Sequence, residues 1–263
     1  MTHDLDVPPH ATGAVVATLP VLHGLQDRFL ASIGEVDADA RVPWCGRWRV
    51  RSLVVHLGRI HHWAAGQARR RQETPLGRGP FVLDEFYAAQ AAELRDTLAT
   101  LDPDAPAWTL DASGVVRFWH RRQTHETLVH LWDLRTAGGL ALDVAPALWA
   151  DTVDELVTVM HPRQVALGRV AAPTVRVRVV ATDVAGTDLT DVGADAVGAP
   201  QTSRGWTLHA ADDAPPAPVV EVTGPAVSLA LLLWGRTTLD DPTLTTVGDR
   251  AALAAVLAGR LTP

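Results

Sequence analysis

The sequence predicts an α+β protein, with an up-down helical bundle over residues 1–165 followed by a small sheet-and-helix domain over residues 173–263. Two observations carry this. Up to about residue 161, apolar residues recur at the three- and four-residue spacing of amphipathic helices; beyond residue 173, apolar and polar residues alternate between clusters of turn formers. The change of period falls in one short stretch, 161–173, and no internal repeat crosses it.

Taken in order, the helical spacing predicts helices over 12–34, 50–72, 80–101, 117–137 and 145–160. Pro80 and Pro146 stand where a first-turn proline is tolerated, because the N–H that proline lacks has no intrahelical partner there. Gly138-Gly139 offers the left-handed backbone that stops the fourth helix. The alternating run Val175-Arg176-Val177-Arg178-Val179 predicts a strand, as do Trp206-Thr207-Leu208-His209 and Val219-Val220-Glu221-Val222. Residues 183–204, rich in Gly, Asp, Thr and Ala, read as a loose hairpin connection. An apolar helix from Ala226 to Trp234 and a last one from Arg250 to Leu257, capped by Asp249, complete the second domain.

Composition removes whole classes of mechanism. All 23 basic side chains are arginine, and the chain has neither lysine nor asparagine. Schiff-base chemistry, a phosphate-binding P-loop lysine and a catalytic asparagine are therefore impossible. The net charge of −7, with acidic residues spread along the chain, argues against nucleic acid as a partner. The one arginine cluster, Arg69-Arg70-Arg71, reads as a solvated helix end. Cys45, alone, excludes a disulfide framework. The first residues lack a signal-peptide pattern, and the longest strongly apolar run, Val227 to Trp234, is far short of the roughly 20 residues of a membrane span. The expectation is a cytoplasmic protein, monomeric, with no membrane partner.

Ten of the eleven histidines lie in the first 161 residues. On the second helix, Leu53, Ile60 and Trp63 fall within about 60° of His56, so His56 faces the apolar side. Alone it reads as a buried neutral imidazole with one satisfied hydrogen bond. His61 and His62 fall off that stripe and read as surface or rim residues. On the fourth helix, Arg121-Arg122-Gln123-Thr124-His125-Glu126-Thr127-Leu128-Val129-His130 is not a zincin motif, because Val129 stands where the second histidine must be. Glu126 and His130, spaced i and i+4, do share a face and can converge on one ion. Their polar wedge, which also carries Arg122, Gln123 and Asp133, reads alternatively as the wet side of the helix. His56 is the natural third ligand. His56, Glu126 and His130 would form a His₂Glu set with an open fourth position, the pattern of catalytic zinc.

Blocks of the chain resemble the mycothiol-dependent maleylpyruvate isomerase family, a branch of the DinB-like bundles. Val42-Pro43-Trp44-Cys45-Gly46-Arg47-Trp48-Arg49-Val50 leading to His56-Leu57-Gly58 and His62-Trp63-Ala64 is similar to its first block. Phe118-Trp119-His120-Arg121-Arg122-Gln123 with His125-Glu126-Thr127 and His130 resembles its second. Val153-Asp154-Glu155 with Val159-Met160-His161-Pro162-Arg163 resembles the end of the bundle. Leu231-Leu232-Leu233-Trp234-Gly235-Arg236 with Val247-Gly248-Asp249 resembles its small, sterol-carrier-like C-terminal domain. The resemblance covers nearly the full length.

It implies zinc held by His56, Glu126 and His130, with mycothiol as thiol cosubstrate and a small electrophile as substrate. Arg236 is implied to be the catalytic arginine, with Arg122 as a second choice for binding substrate. His125 or Asp133 would orient a ligand. The family's Cys-Pro-Gly-Trp is replaced by Cys45-Gly46-Arg47-Trp48, so Arg47 would alter the mouth of the site. Cys45 reads as packed rather than ligating. A free thiol with a pKa near about 8.5 is mostly protonated at neutral pH, so an open zinc position would supply it as thiolate. In the isomerase that thiolate adds to a cis double bond, the single bond rotates, and elimination gives the trans product. Two alternatives remain open at this level: a mycothiol S-transferase in detoxification or natural-product assembly, and a non-catalytic metal-binding bundle.

Overall fold

Leu22, Leu25 and Phe29 repeat at helical spacing and are buried, and Pro20 sits in the first turn; they make α1, Leu19–Glu35. The computed structural model describes residues 18–184, 203–209, 218–259 and 261–262, so the predicted start of this helix at residues 12–17 lies outside the described residues. Next come α2 (Val50–Ala68), α3 (Leu83–Thr100) and α4 (Arg117–Ala137). α1 packs on α3 and α4, and α2 packs on the same two, which closes a four-helix bundle.

Boundaries differ from expectation where backbone chemistry intervenes. α2 ends four residues early because Arg70 adopts a left-handed φ of 52°; Arg70 and Arg71 are exposed, as a solvated helix end should be. α3 begins at Leu83 rather than at Pro80, with Asp84 and Glu85 in its first turn where the helix dipole favours them. α4 has the expected span; Gly139 at φ 68° turns the chain beyond it.

The fifth helix, α5 (Pro146–Glu155), opens on a first-turn proline and runs through a π-helical turn, Leu156–Met160, into α6 (His161–Ala166). Pro162 accounts for the wide turn: it has no N–H for the ladder and its ring crowds the preceding turn, so the helix loosens, with His161 N–H bonding back to Leu156 O.

The second part is a four-stranded mixed sheet in the order β2-β1-β3-β4. β1 (Arg176–Ala181) and β3 (Val219–Gly224) run parallel in the middle. β2 (Arg204–Leu208) and β4 (Thr245–Val247) flank them antiparallel. The three-residue β4 is not foreseen, because it is too short to show alternation. Most of the predicted 183–204 connection lies outside the described residues. α7 (Ala226–Leu233) and α8 (Arg250–Leu257) complete this part. The Asp249 side chain caps α8, accepting from the N–H groups of Ala251 and Ala252 at 2.9 and 3.0 Å.

α7 is apolar all round because it is enclosed, packing on α5, β1 and β3. One hydrophobic core runs from Leu25 and Phe29 of the bundle through Leu148, Trp149 and Val153 to Leu229 and Val222. Asp154 reinforces that junction by accepting from Arg204 and from Trp206 Nε1, each at 2.9 Å. No helix among the described residues is long and apolar enough to cross a membrane.

Candidate metal centre and active-site cavity

His56 comes from α2 and Glu126 and His130 from successive turns of α4, and the two helices pack so that all three side chains meet. Glu126 Oε1 lies 3.2 Å from His130 Nε2 and 3.8 Å from His56 Nε2. The two imidazoles stand edge to face, 5.1 Å between centroids, and one ligand atom from each of the three residues falls within 4.8 Å of the others. Two imidazole nitrogens and one carboxylate oxygen form a donor set that suits zinc. His56 is half-buried rather than core-facing, with Trp48 packed 4.8 Å from its ring.

Around this triad the polar wedge of α4 is buried, not wet. Arg122, Gln123 and Asp133 are almost wholly enclosed. Arg122 donates to Glu126 through Nη2 and to Glu155 through Nη1, so a guanidinium fork clamps two buried carboxylates. Burial alone would raise Glu126, but the Arg122 charge outweighs it and holds the carboxyl well below its usual range. Glu155 is lowered in the same way. Behind them, His125 Nδ1 lies 2.8 Å from Glu155 Oε2 and its Nε2 3.0 Å from Asp151 Oδ2. His125 thus acts on the triad only through Glu155 and Arg122, two steps removed.

Asp133 is one step from the triad: His130 Nδ1 lies 2.9 Å from its Oδ2. With Nδ1 held against Asp133, Nε2 is the ring nitrogen turned towards Glu126 and His56. Burial lowers the His130 pKa, but its bonds to Asp133 and Glu126 outweigh that and raise it to about 9.

Arg236 reaches the same carboxylate from the second part of the fold. Gly235, at φ 68°, ends α7 in a Schellman turn: Arg236 N–H bonds to Leu231 O at 2.7 Å and Gly235 N–H to Leu232 O at 3.0 Å. That turn throws Arg236 back over Asp133, which accepts from its Nε at 3.1 Å and its Nη2 at 2.9 Å. Nη1 donates to Trp234 O at 2.7 Å. Three of the five guanidinium N–H groups are thereby used, leaving two for an anion.

The triad, Arg122 and Arg236 line one cavity of about 1100 Å³. Cys45 lines it too, its Sγ 3.7 Å from Asp133 Oδ2; burial, then the Asp133 charge, pushes its thiol up to about 11, so it stays protonated and packed. Arg47 does not reach the cavity: its neighbours Gly46 and Trp48 line it, while Arg47 itself is exposed. Arg122 lines the wall, but with both arms committed to carboxylates it braces the ligand set instead of offering a free anion site. Sequence reasoning missed Glu155, the buried acid shared by Arg122 and His125. The available signal was Asp151 and Glu155 at i and i+4, matching the Arg121-Arg122 and His125 face of the neighbouring helix.

His61 and His62 are a correction, for both are buried. α2 is packed by α3 on one side and α4 on the other, so more than the apolar stripe is enclosed. His61 lies 2.9 Å from Gln123 Oε1 and 3.4 Å from Tyr87 Oη; His62 lies 2.5 Å from Glu93 Oε2 and 2.8 Å from Thr74 O. Burial, only partly offset by the Gln123 bond, lowers His61 to about 4. An unfolded histidine titrates near about 6.5, so the unfolded chain takes up the proton first and stability falls as pH drops from 6.5 towards 4. By pH 5 that loss is about 2 kcal/mol. In urea unfolding at pH 7.5 and pH 5, His61→Gln should shrink the difference between the two free energies by about this amount. An unchanged difference would show that His61 does not enter the fold neutral.

Two family models match the chain: the mycothiol maleylpyruvate isomerase N-terminal domain over residues 22–135, and the C-terminal domain of the same family over residues 147–255. The second begins in the first turn of α5, which groups that helix with α7, against which it packs. No curated protein matches the chain. Two solved structures share the fold. The mycothiol-dependent maleylpyruvate isomerase superposes with a TM-score of 0.55, and a histidine-to-alanine mutant of it with 0.56. Each is 13% identical and covers 87% of this chain and 90% of its own. Matched in order by both halves of one family from residue 22 to residue 255, the chain belongs to the mycothiol-dependent maleylpyruvate isomerase family.

Proposed function

We propose that the protein is a zinc- and mycothiol-dependent isomerase that converts a small cis-configured electrophile into its trans isomer. The observation that carries this is the meeting of His56, Glu126 and His130 at the wall of a cavity that Arg236 also lines. Those three residues would hold the zinc. When bound, zinc supplies an open coordination position that keeps a thiol as its thiolate at neutral pH.

The remaining work falls to the protein's own groups. The Arg122 fork aims Glu126 at the ligand set and keeps it ionised. Asp133 orients His130 by accepting from Nδ1. As the thiol's sulfur adds to one alkene carbon, the π electron pair moves onto the conjugated carbonyl oxygen as an enolate. Rotation about the new single bond, return of the pair and loss of the thiolate then give the trans product with the thiol regenerated. The two remaining N–H groups of Arg236 are suited to the substrate carboxylate and the developing enolate, as a planar fork is and an ammonium is not. Apolar walls such as Trp48 and Trp234 keep water away from it.

Incubation with mycothiol and maleylpyruvate tests the reading. Formation of the trans isomer, followed by absorbance, with no net consumption of thiol supports it. A persistent thioether would replace it with S-transfer, and neither product would refute both. Arg236→Lys should lower kcat/KM by about a hundredfold, in line with losing one preorganised donor to a developing oxyanion, while the zinc content stays at the parent's level. Unchanged turnover would remove Arg236 from the chemistry.

A further inference from the structure

The cavity extends well past the triad. His56, Ile60 and Trp63 lie on one stripe of α2 and all line it. Trp63 is seven residues beyond His56, so this wall runs on the order of 10 Å along the helix. At that far end stands Trp108, 44% exposed although it is a large aromatic side chain. Its backbone is pinned, with the amide N–H donating to Gln67 O at 3.2 Å and the carbonyl accepting from Trp119 Nε1 at 2.7 Å, and the Trp63 ring meets its ring edge-on at 5.9 Å. An apolar ring fixed in place with part of its surface in water is a standing cost that a stacked ligand would relieve.

Charge points to the kind of ligand. The Arg163 guanidinium lies 5.8 Å from the Trp108 ring centroid, and its hydrogen bond is to a backbone carbonyl, Leu110 O, at 3.1 Å. Arg169, also on the wall, bonds to the Gln164 side-chain amide at 3.4 Å. Among the described residues neither forms an ion pair, whereas Arg122 and Arg236 are both matched by carboxylates. Arg163 is partly enclosed and Arg169 stands exposed at the rim, so the cavity wall presents two positive charges with no acid beside them among the described residues, a field that favours an anion.

We propose that Trp63, Trp108 and Arg163 form a subsite for an aryl carboxylate: a flat ring lies against the tryptophans and its acid group meets Arg163, with Arg169 beside it. The electrophile this enzyme takes is then one with an aromatic acid end remote from the reacting carbon. This inference rests on the function proposed above only in identifying the cavity as the reaction chamber.

The probe is 2-naphthoate, titrated calorimetrically into the full-length protein beside its neutral twin 2-naphthamide. Saturable binding of the acid is expected, at least tenfold tighter than the amide, weakened at least tenfold by Arg163→Gln and unchanged within twofold by His56→Ala. Arg169→Gln should weaken it several-fold and serves if Arg163→Gln fails to fold. Equal affinity for acid and amide, no saturation by 5 mM, or binding lost in His56→Ala but kept in Arg163→Gln would each overturn the proposal. A protein that binds naphthoate as expected but with mycothiol neither isomerises nor conjugates maleylpyruvate or a cis-enone bearing an aryl carboxylate would sink the proposed function and leave the subsite standing.

Discussion

Purified without chelator, the protein should carry close to one equivalent of zinc, and His56→Ala treated identically less than a tenth of one. The three donors come from two helices, and losing His56 leaves only Glu126 and His130, two ligands on one face of α4. Two donors cannot make the three-point grip that a catalytic zinc site requires. The variant is clean because His56 is half-buried and its one ionic neighbour, Glu126 at 3.8 Å, is already neutralised by Arg122. In excess EDTA both proteins should therefore melt within about 2 °C of each other. On adding zinc the parent should gain stability, about 2.7 kcal/mol at a hundred times the dissociation constant, and the variant nothing comparable. Elemental analysis with paired thermal melts reads both effects. Equal zinc in the two proteins would disprove the triad.

Arg122→Met should cost about 3–5 kcal/mol, because it removes the guanidinium shared by two buried carboxylates and leaves Glu126 to His130 and Glu155 to His125 alone. With about 2–4 °C per kcal/mol for a chain of this size, the metal-free melting point should fall on the order of 10 °C. Adding Glu155→Leu to Arg122→Met should recover part of that, since it removes an uncompensated charge; a double variant as unstable as the sum of the single ones would show that the two residues do not interact. The pH dependence has a definite sign. In the parent both carboxyls are held below their ordinary values, so their contribution is present above about pH 4.5 and is lost as pH falls through the folded pKa. Without Arg122 those carboxyls lose the largest charge holding them ionised and protonate at higher pH than in the parent, so the variant's deficit should narrow as pH drops from 7 towards 4. A deficit constant with pH would mean that the loss is one of packing rather than charge.

Local chemistry made much of the fold readable. The period change near residue 161, Gly138-Gly139 after α4, Pro146 in the first turn of α5 and the Asp249 cap each express a backbone constraint that a few adjacent residues impose. Misjudged boundaries have non-local or unusual causes. Pro80 precedes α3 by three residues because Val82 is still extended, at φ −74° and ψ 113°, and the π turn before Pro162 merges α5 and α6. β4 exists only because β3 offers it an edge. In the site, the i, i+4 pairing of Glu126 and His130 was legible from spacing, whereas Arg236 was reached only through the family resemblance, and the left-handed Gly235 that places it is a feature of the fold. Glu155 was not, because nothing in a run of helical residues marks an acid as buried until its partners are known. Arg47 looked significant as a departure from a familiar motif, yet the loop turns its side chain to solvent.

By itself, then, the sequence determined the order and kind of most elements, the absence of lysine and asparagine chemistry, and the three candidate ligands with the arginine set against them. Periodicity, capping and composition are local properties that need no partner to be expressed. Tertiary structure alone decided that the polar wedge of α4 is the buried centre of the molecule, that Arg122 is committed to two carboxylates, and that His61 and His62 lie inside. Burial and charge pairing are properties of what packs against a residue. Here α3, α5 and the turn after α7 do that packing, from tens of residues away in the chain.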